Sequence, residues 1–500
     1  MKSKLIALSV VAALLLGMVL VACAPPPTPE KVVETVIVTK EVPVEVTKEV
    51  VVTPTPVPEV VTLRILSLAW PQTPVEQEFA NKYFTPKTGI KVEITGPPYE
   101  FVESKVREIC ASKSSEYDLF EYDSQWYGGA VMSGCFEPLD PYFEREGLDY
   151  DSMFVQPYAT YNGRWPIPNA VLTGEKDWHD YTDVPLYFVP WTIGTIFLTY
   201  QPELFVEAGI VDEEGKAKPP ETWEELLEDA KKLTVDLDGD GKIDRYGLGW
   251  YACRISDGIT QQFLPFLASY GAGFWDEETW TAEGIINSPE AVEACEMFCR
   301  FYDEGAVDPA TATWFVSEIM GAAFTDKFAM SLTWVSFAGA YDDPAVSETA
   351  GKWAYAPLPC HVMPDGTKKC GATYGSQGIG INAFSKHKEE AWEYIKWYMS
   401  PEVQKMLVDD PRAGFASARV DLYDYQMVPD TAKWASLKSV MEGWAYDVWT
   451  YPEYAELLDI QQSYFNLAYI GQMSCKDALD HIATLHQRIL DTSPNNPKNK

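Results

Sequence analysis

The sequence predicts an α/β protein built from more than one lobe and preceded by a segment of different composition. From about residue 60 onward, stretches with strand alternation are separated by stretches with helical periodicity, which favours βαβ units and a mainly parallel sheet. At 500 residues the chain is too long for one ordinary hydrophobic core. Hydrophobic residues make up 46% of it and aromatic residues 13%, enough apolar material for folded cores.

The first predicted elements alternate between strand and helix. In order they are a strand at 61–67, a helix at 76–84, and strands at 90–94 and 117–122. Ligands of parallel sheets lie beyond the carboxyl ends of the strands. We therefore expect Trp70 and the turn at 122–126 to approach a binding site.

Further along, strands are predicted at 184–191 and 196–200, followed mainly by helices. Thr222 and Glu225 form a capping box before an apolar stripe, which predicts a helix. Helix signals also occur at 288–305, 389–399 and 476–490.

The N-terminus has the pattern of an export signal. Lys2 and Lys4 precede an uncharged apolar stretch at 5–22, which ends in small residues before Cys23. Residues 20–23, Leu-Val-Ala-Cys, resemble the lipobox of bacterial lipoproteins, which implies cleavage after a signal peptide at 1–22 and diacylation of Cys23. Two acyl chains give stable anchoring. The alternative is a retained transmembrane helix.

Residues 23–60 are predicted to form an extended stalk behind the lipidated cysteine. Val and Thr alternate there and prolines occur at both ends, but no aromatic residue is available to cover a strand face. The protein would then sit at the cell surface or in the periplasm, on the outer face of the cell membrane, with Cys23 as its only membrane contact.

The charge of the chain excludes one class of partner. The 39 Lys and Arg residues are outnumbered by 74 Asp and Glu residues, for a net charge of −35. Such a field repels phosphate backbones, so we predict no nucleic-acid partner.

Several motifs, in a fixed order, resemble the extracellular solute-binding proteins of ABC importers. The resemblance is to family 1, the carbohydrate-type class that includes maltose-binding protein. The segments that carry it are 200–210, 219–226, 230–234, 328–331, 375–383, 391–395, 471–474 and 478–479.

This resemblance implies a two-lobe periplasmic-binding-protein fold of type II, with three chain crossings and a ligand cleft between the lobes. Lobe 1 would comprise 62–195 and 333–410, and lobe 2 would comprise 200–328 and 415–490. Residues 491–500 are expected to be a flexible tail. The implied function is capture of a sugar or oligosaccharide outside the membrane and delivery to the ABC permease transmembrane subunits by lobe closure. We expect a monomer that is not an enzyme.

Sugars present apolar ring faces and hydroxyls, so a site needs aromatic platforms and planar polar groups. The chain has 17 Trp, 28 Tyr and 22 Phe, most of which we expect in cores. The candidates are those beside the expected cleft loops, namely Trp70, Gln72, Tyr122, Asp123, Gln125, Trp126, Trp191, Thr192, Trp250, Tyr251, Trp334, Tyr374, Gly375, Gln377 and Arg412. At Trp334 the family usually has a small residue, so this tryptophan would narrow the pocket or be misaligned.

An acidic loop matches the spacing of a calcium-binding loop through Asp236, Asp238, Asp240, Lys242 and Asp244. Position twelve is Gly247, so the bidentate glutamate is absent. The alternative is a solvated turn before a strand. We predict no required cofactor, with structural calcium as a candidate.

The nine cysteines divide into Cys23 and eight others. Cys360 and Cys370 flank a predicted turn, and Cys110 and Cys135 bracket the third strand. The remaining residues are Cys253, Cys295, Cys299 and Cys475, in lobe 2. Cys295 and Cys299 share a helix face, which also suits metal ligands. In an oxidising compartment we favour disulfides from these two to Cys253 and Cys475.

Competing functions stay open at this point. No hydrolase, zinc-protease or phosphate-loop motif occurs in the sequence, but paired carboxylates for glycoside hydrolysis have no motif that would reveal them. A surface sensor, or a binding protein for peptides or polyamines, would share the same fold.

Overall fold

The computed structural model describes residues 60–427, 437–439, 443 and 445–499. The predicted signal peptide, the lipidated Cys23 and almost all of the stalk lie outside these residues. Within them, no helix combines the length and the apolar character needed to cross a bilayer.

The strands of the described residues are short except for two long ones that cross the middle of the molecule. They are β1 Thr62–Leu66, β2 Lys91–Thr95, β3 Leu119–Asp123, β4 Val189–Tyr200, β5 Tyr246–Gly249, β6 Phe328–Trp334, β7 Ala354–Ala356, β8 His361–Val362, β9 Lys368–Lys369, β10 Ala372–Ile381 and β11 Ala445–Tyr446.

Helices surround these strands. They are Gln72–Phe79, Thr85–Thr88, Val102–Ser112, Tyr127–Met132, Asp140–Glu146, Tyr150–Met153, Tyr158–Gly163, Asn169–Leu172, Pro202–Glu207, Trp223–Leu233, Gly258–Ser269, Pro289–Asp303, Val316–Phe324, Ala338–Tyr341, Lys388–Tyr398, Pro401–Asp409, Val420–Met427, Tyr454–Tyr469 and Cys475–Thr492. Single turns add a π-helix at Ala80–Phe84 and 3₁₀ helices at Tyr99–Phe101, Ser124–Trp126, Trp178–Tyr181, Pro309–Ala312, Val335–Phe337 and Pro497–Asn499.

One sheet runs through both lobes in the order β2-β1-β3-β10-β4-β6-β5, with β11 beside β10 and β7 beside β4. The pairs β1–β2, β1–β3, β5–β6 and β10–β11 are parallel. The pairs β3–β10, β10–β4, β4–β6 and β4–β7 are antiparallel. The prediction of a mainly parallel sheet was therefore wrong, because β4 and β10 pair antiparallel at the centre of a mixed sheet.

The long strand β4 connects the two lobes. Its first half pairs with β10 of the first lobe, and its second half, from Ile196, pairs with β6 and β7 of the second. The sequence predicted two strands here, and the structure joins them through Thr192 to Thr195, so the first crossing is a continuous strand.

The side chains predicted to start two helices act as N-caps. The Thr222 side chain accepts from the Glu225 amide at 3.2 Å, and Glu225 in turn accepts from the Glu221 amide at 2.8 Å. Ser288 caps the helix Pro289–Asp303 by accepting from the Ala291 amide. Each such cap contributes about 1 kcal/mol to helix stability.

Two segments contact the opposite lobe from the one that the resemblance implied. Strand β7 and the segment that follows it pack on the second lobe, where Tyr355 stacks on Phe197 and the Cys360 amide donates to Glu221 O at 2.9 Å. Residues 415–427 begin on the first lobe, where the Arg419 guanidinium donates to Met399 O at 2.7 Å. These contacts are long-range, so motif order alone did not locate them.

Three disulfides join six of the described cysteines, Cys110–Cys135, Cys295–Cys475 and Cys360–Cys370. Cys253 and Cys299 are buried free thiols, so the predicted disulfide to Cys253 is wrong. The Cys299 Sγ lies 3.6 Å from the Cys475 Sγ, but Cys295, one helical turn earlier, is the residue that bonds to Cys475.

The predicted flexible tail is packed where the structure describes it. Ser493 and Asn496 are buried, and the Asn496 side-chain Nδ2 donates to Leu490 O at 2.9 Å. The last helix continues to Thr492, beyond the predicted end at 490. Residues 491–499 are mostly polar, so their composition did not predict this packing.

Candidate functional site

A cavity of about 300 Å³ lies where the two lobes meet. Its walls come from the segments after β1, β2 and β3 in the first lobe and from the central strands β4, β6 and β10. The second lobe adds the starts of the helices Gly258–Ser269 and Val316–Phe324. The carboxyl ends of the parallel strands β1, β2 and β3 thus face the cavity, as the strand-end rule predicted.

Aromatic rings form one side of the cavity. The Trp70 ring lies 5.1 Å from the Phe337 ring and 5.6 Å from the Tyr99 ring, measured between centroids. Tyr99 in turn stacks on Phe315 of the second lobe at 6.3 Å. These side chains offer a continuous apolar surface to a bound molecule.

Carboxylates and amides form a polar side of the cavity. The Gln125 Nε2 donates to Asp257 Oδ2 at 3.1 Å and lies 3.4 Å from Asp123 Oδ2. The Tyr99 hydroxyl donates to the same Asp123 oxygen at 2.5 Å, and the Tyr454 hydroxyl lies 3.4 Å from Asp257 Oδ2. A hydrogen-bond network therefore spans both lobes beside the cavity.

A third carboxylate, Asp447, also lines the cavity. It accepts from the Ser124 hydroxyl at 2.9 Å and from the Val448 amide at 2.8 Å. Asp447 thereby ties the turn after β3 to the segment after β11.

Burial raises the pKa of all three carboxyls. The pKa of Asp123 is raised to about 7, that of Asp257 to about 6 and that of Asp447 to about 8, in each case chiefly because burial disfavours the charged form. Hydrogen bonds to the carboxylates oppose this shift. At neutral pH the cavity therefore holds carboxyls that titrate.

Some polar atoms beside the cavity have no hydrogen-bond partner among the described residues. They are Asp123 Oδ1, Asp257 Oδ1 and Trp70 Nε1, although the side chains of Gln377 and Gln261 approach the Asp123 and Asp257 carboxyls. Buried polar groups are nearly always satisfied, so unpaired atoms around a cavity indicate positions where a bound molecule would supply partners.

Gln72 is positioned by a buried carboxyl. Its Nε2 donates to the Tyr398 hydroxyl at 2.9 Å and lies 3.4 Å from Glu76 Oε2. Trp191 Nε1 also donates to that oxygen at 2.9 Å. Trp191 is fully buried, so it supports the wall behind the cavity and does not line it.

Trp334 reaches the cavity because the residue beside it is glycine. A Cβ on Gly375 would lie 2.3 Å from the Trp334 ring, which no packed structure allows. The indole Nε1 donates to the Tyr251 hydroxyl at 2.8 Å, and this hydroxyl donates to Gln261 Oε1 at 2.9 Å. Tyr251 therefore orients Trp334 from behind.

Most of the side chains chosen from the sequence come together at this cavity. Those that line it are Trp70, Gln72, Asp123, Gln125, Thr192, Trp334, Tyr374, Gly375 and Gln377. Whether they contact a solute stays a prediction.

The other sequence candidates lie elsewhere. Tyr122 and Trp126 line a smaller cavity of about 190 Å³ beside Tyr454. Trp250 is buried in the second lobe, where its Nε1 donates to the Tyr469 hydroxyl at 2.7 Å. Arg412 is exposed and ion-paired with Asp410. Trp191 and Tyr251 support lining residues. Several of these residues were predicted to line the site because they are aromatic, but aromatic side chains also fill hydrophobic cores.

Several lining residues were missed by the sequence analysis, namely Tyr99, Asp257, Gln261, Phe315, Phe337 and Asp447. Tyr99 follows β2, so the strand-end rule could have found it. Asp257 is the N-cap residue of a helix in the other lobe, and no local signal placed it beside Asp123.

The acidic loop of the second lobe is compact. Oxygen atoms of Asp236, Asp238 and Asp244 lie within 4.8 Å of one another, whereas Lys242 forms an ion pair with Asp240 at 2.9 Å. Backbone amides of the turn donate to Asp236, which lowers the pKa of that carboxyl. Calcium binding here stays a prediction.

The sequence matches a known family over most of the folded region. Residues 69–405 match the family described as bacterial extracellular solute-binding protein. A putative binding protein of Brucella abortus (strain 2308) is 22% identical over 324 residues, which cover 64% of this chain and 67% of that protein.

Solved structures share the fold. An ABC transporter solute-binding protein from Agrobacterium radiobacter K84, in complex with ribitol, superimposes with a TM-score of 0.69 at 25% identity and covers 86% of this chain and 98% of its own. Maltose-bound MalE3 of T. maritima superimposes with a TM-score of 0.68 at 22% identity, covering 86% of this chain and 100% of its own. With the family match across both lobes, the chain belongs to the bacterial extracellular solute-binding proteins and is the solute-binding component of an ABC transporter.

Proposed function

We propose that this protein captures a sugar or sugar alcohol in the cavity between its lobes and delivers it to an ABC permease by lobe closure. The observation that carries the proposal is the composition of the cavity. It joins an aromatic side, including Trp70 and Trp334, to a polar side with Asp123, Gln125 and Asp257.

This combination suits a polyhydroxylated solute. Aromatic faces cover the apolar C–H surface of a sugar ring, and carboxylates and amides bond pairs of neighbouring hydroxyls. The unpaired Asp123 Oδ1 and Asp257 Oδ1 would accept hydroxyl protons, and the unpaired Trp70 Nε1 would donate to a hydroxyl oxygen. In support, ribitol and maltose are bound by the two solved relatives named above.

The cavity size favours a small solute. A volume of about 300 Å³ is at the lower end of small-molecule pockets. We therefore propose a monosaccharide, a sugar alcohol or a disaccharide, rather than a long oligosaccharide.

Delivery requires the two lobes to move together around the solute. Gln125 from the first lobe and Asp257 from the second approach each other beside the cavity, so a bound solute would join both lobes. We propose that the protein works as a monomer outside the membrane, anchored through lipid on Cys23, which lies outside the described residues.

A thermal-shift screen across solute classes tests the proposal. Sugars and sugar alcohols should stabilise the protein, by about 2.7 kcal/mol at about 100 times the dissociation constant. Stabilisation by peptides or amino acids, with none by any sugar or sugar alcohol, would refute it. Trp178→Ala, which changes a tryptophan outside the cavity, should respond like the unaltered protein.

A further inference from the structure

The cavity contains acidic side chains that no basic side chain neutralises. Glu100, Asp123, Asp257 and Asp447 line it, and among the described residues no lysine, arginine or histidine does. The last three are almost fully buried. A buried carboxylate without a countercharge is costly, so a ligand that supplies a positive charge would relieve that cost.

The hydrogen-bond geometry also leaves acceptors without donors. Asp123 and Asp257 each receive their donors on Oδ2, from Tyr99, Gln125 and Tyr454. The Oδ1 atom of each has no described donor in hydrogen-bonding geometry, although the side chains of Gln377 and Gln261 approach the Asp123 and Asp257 carboxyls. An ammonium group has three N–H donors and one positive charge, whereas a hydroxyl offers one donor and no charge.

A metal ion is a poorer occupant than an amine. Gln125 places an N–H donor between the two carboxylates, which opposes a cation bridging the same oxygens. Among the described residues, the groups close enough to share an ion are the cysteine cluster at Cys295 and the acidic loop at Asp236. Neither group lines the cavity.

We propose that the solute carries a protonated amine as well as hydroxyls, so that the protein takes an amino sugar or amino sugar alcohol with its ammonium group beside Asp123 and Asp257. This inference rests on the proposed function and narrows its substrate class. The aromatic side of the cavity would cover the carbon skeleton.

Matched pairs of probes test this by isothermal titration calorimetry at pH 7.5. The pairs are D-glucosamine against D-glucose and against N-acetyl-D-glucosamine, and 1-amino-1-deoxy-D-sorbitol against D-sorbitol. In at least one pair the amine should bind ten or more times more tightly than its neutral partners. Asp123→Asn and Asp257→Asn should each reduce that ratio to about threefold or less, while Glu207→Gln, an exposed acid outside the cavity, should preserve it.

The pH dependence provides a second readout. Asp123 and Asp257 must ionise to pair with an ammonium group, and the titratable groups beside them, Asp447, Glu100, Tyr99, Tyr374 and Tyr454, add no positive charge. Arg254 lines a neighbouring pocket with Asp257 and Glu100, where its guanidinium donates to the Ser463 hydroxyl. Affinity for the amine should therefore rise about tenfold or more from pH 5.5 to 7.5, with proton release on binding.

The outcomes separate the two proposals. Equal or tighter binding of the neutral member of every pair that binds would overturn the inference and leave sugar binding intact. If no sugar or sugar alcohol of either kind binds, whether or not spermidine does, the proposed function itself fails. Circular dichroism of each aspartate variant would identify unfolding, and the pH series on the unaltered protein does not depend on the variants.

Discussion

The Gln125 side-chain nitrogen donates to Asp257 Oδ2 across the two lobes, over a distance of 3.1 Å. Gln125 lies in the turn after β3, and Asp257 is the N-cap residue of the helix Gly258–Ser269. This bond couples the lobe that supplies most of the cavity to the lobe that would close over it.

Removing the bridge should weaken solute binding. Gln125→Leu keeps a similar volume but leaves the Asp257 carboxyl without this donor, so the affinity for the solute should fall about tenfold, the value of one hydrogen bond to a charged group. Calorimetry measures it. Gln472→Leu, at an exposed site, serves as the control, and an unchanged affinity in Gln125→Leu would show that the bridge has no part in binding.

The aromatic side of the cavity predicts a different pattern. Trp70→Ala should lower the affinity about tenfold or more because a stacking face is lost, whereas Trp70→Phe should retain most of it. Tryptophan fluorescence titration and calorimetry both report this. Equal affinity in the alanine variant would mean that the solute does not lie against this ring.

The buried carboxyls make the stability of the solute-free protein depend on pH. The pKa values of Asp123, Asp257 and Asp447 are raised to about 7, 6 and 8, so the folded state binds more protons than the unfolded state between pH 4 and these values. The stabilisation of the folded state by these protonated carboxyls is fully present below about pH 4 and is lost as the pH rises through 6 to 8.

The unfolding temperature should therefore be lower at pH 8.5 than at pH 5.5, and Asp123→Asn should flatten this slope. Calorimetric melts across the range measure it. A melting temperature that rises toward pH 8.5 would contradict the assignment.

Glu121 predicts a stabilising substitution. It is fully buried in β3 beside Ser67 and Glu76, and burial together with the charge of Glu76 raises its pKa. Glu121→Gln removes the charge and supplies a donor toward Glu76. We expect a gain of about 1 kcal/mol or more at pH 8 in urea unfolding. A loss of stability at pH 8 would indicate that the Glu121 carboxyl makes a stabilising hydrogen bond that glutamine cannot replace.

The thiols of Cys253 and Cys299 should resist alkylation in the folded protein. Both are buried, and burial raises the pKa of Cys253 to about 11 and that of Cys299 still higher. Iodoacetamide followed by peptide mapping should label both only after unfolding. Recovery of a peptide that joins Cys253 to Cys299 would contradict the structure.

The sequence located the part of the site that depends on local rules. Trp70 follows β1 and Asp123 is the last residue of β3, and Thr222 and Ser288 cap helices as predicted, because each signal lies within a few residues. Asp257 was not predicted from the sequence because its proximity to Gln125 depends on the packing of one lobe on the other.

Trp250 illustrates the opposite error. Its position after β5 matched the strand-end rule, but its ring packs against Phe298 inside the second lobe. Composition does not distinguish an aromatic platform from a core residue. The pairing of Cys295, and not Cys299, with Cys475 likewise depends on how two helices face each other.

The cavity between the lobes is the proposed solute-binding site. The most direct test is calorimetric titration of the best sugar or sugar alcohol from the screen into the unaltered protein and into the double variant Trp70→Ala, Asp123→Asn. The unaltered protein should bind one solute molecule per chain, and the folded double variant should lose at least two orders of magnitude of affinity. Undiminished affinity in that variant would show that the solute binds outside this cavity.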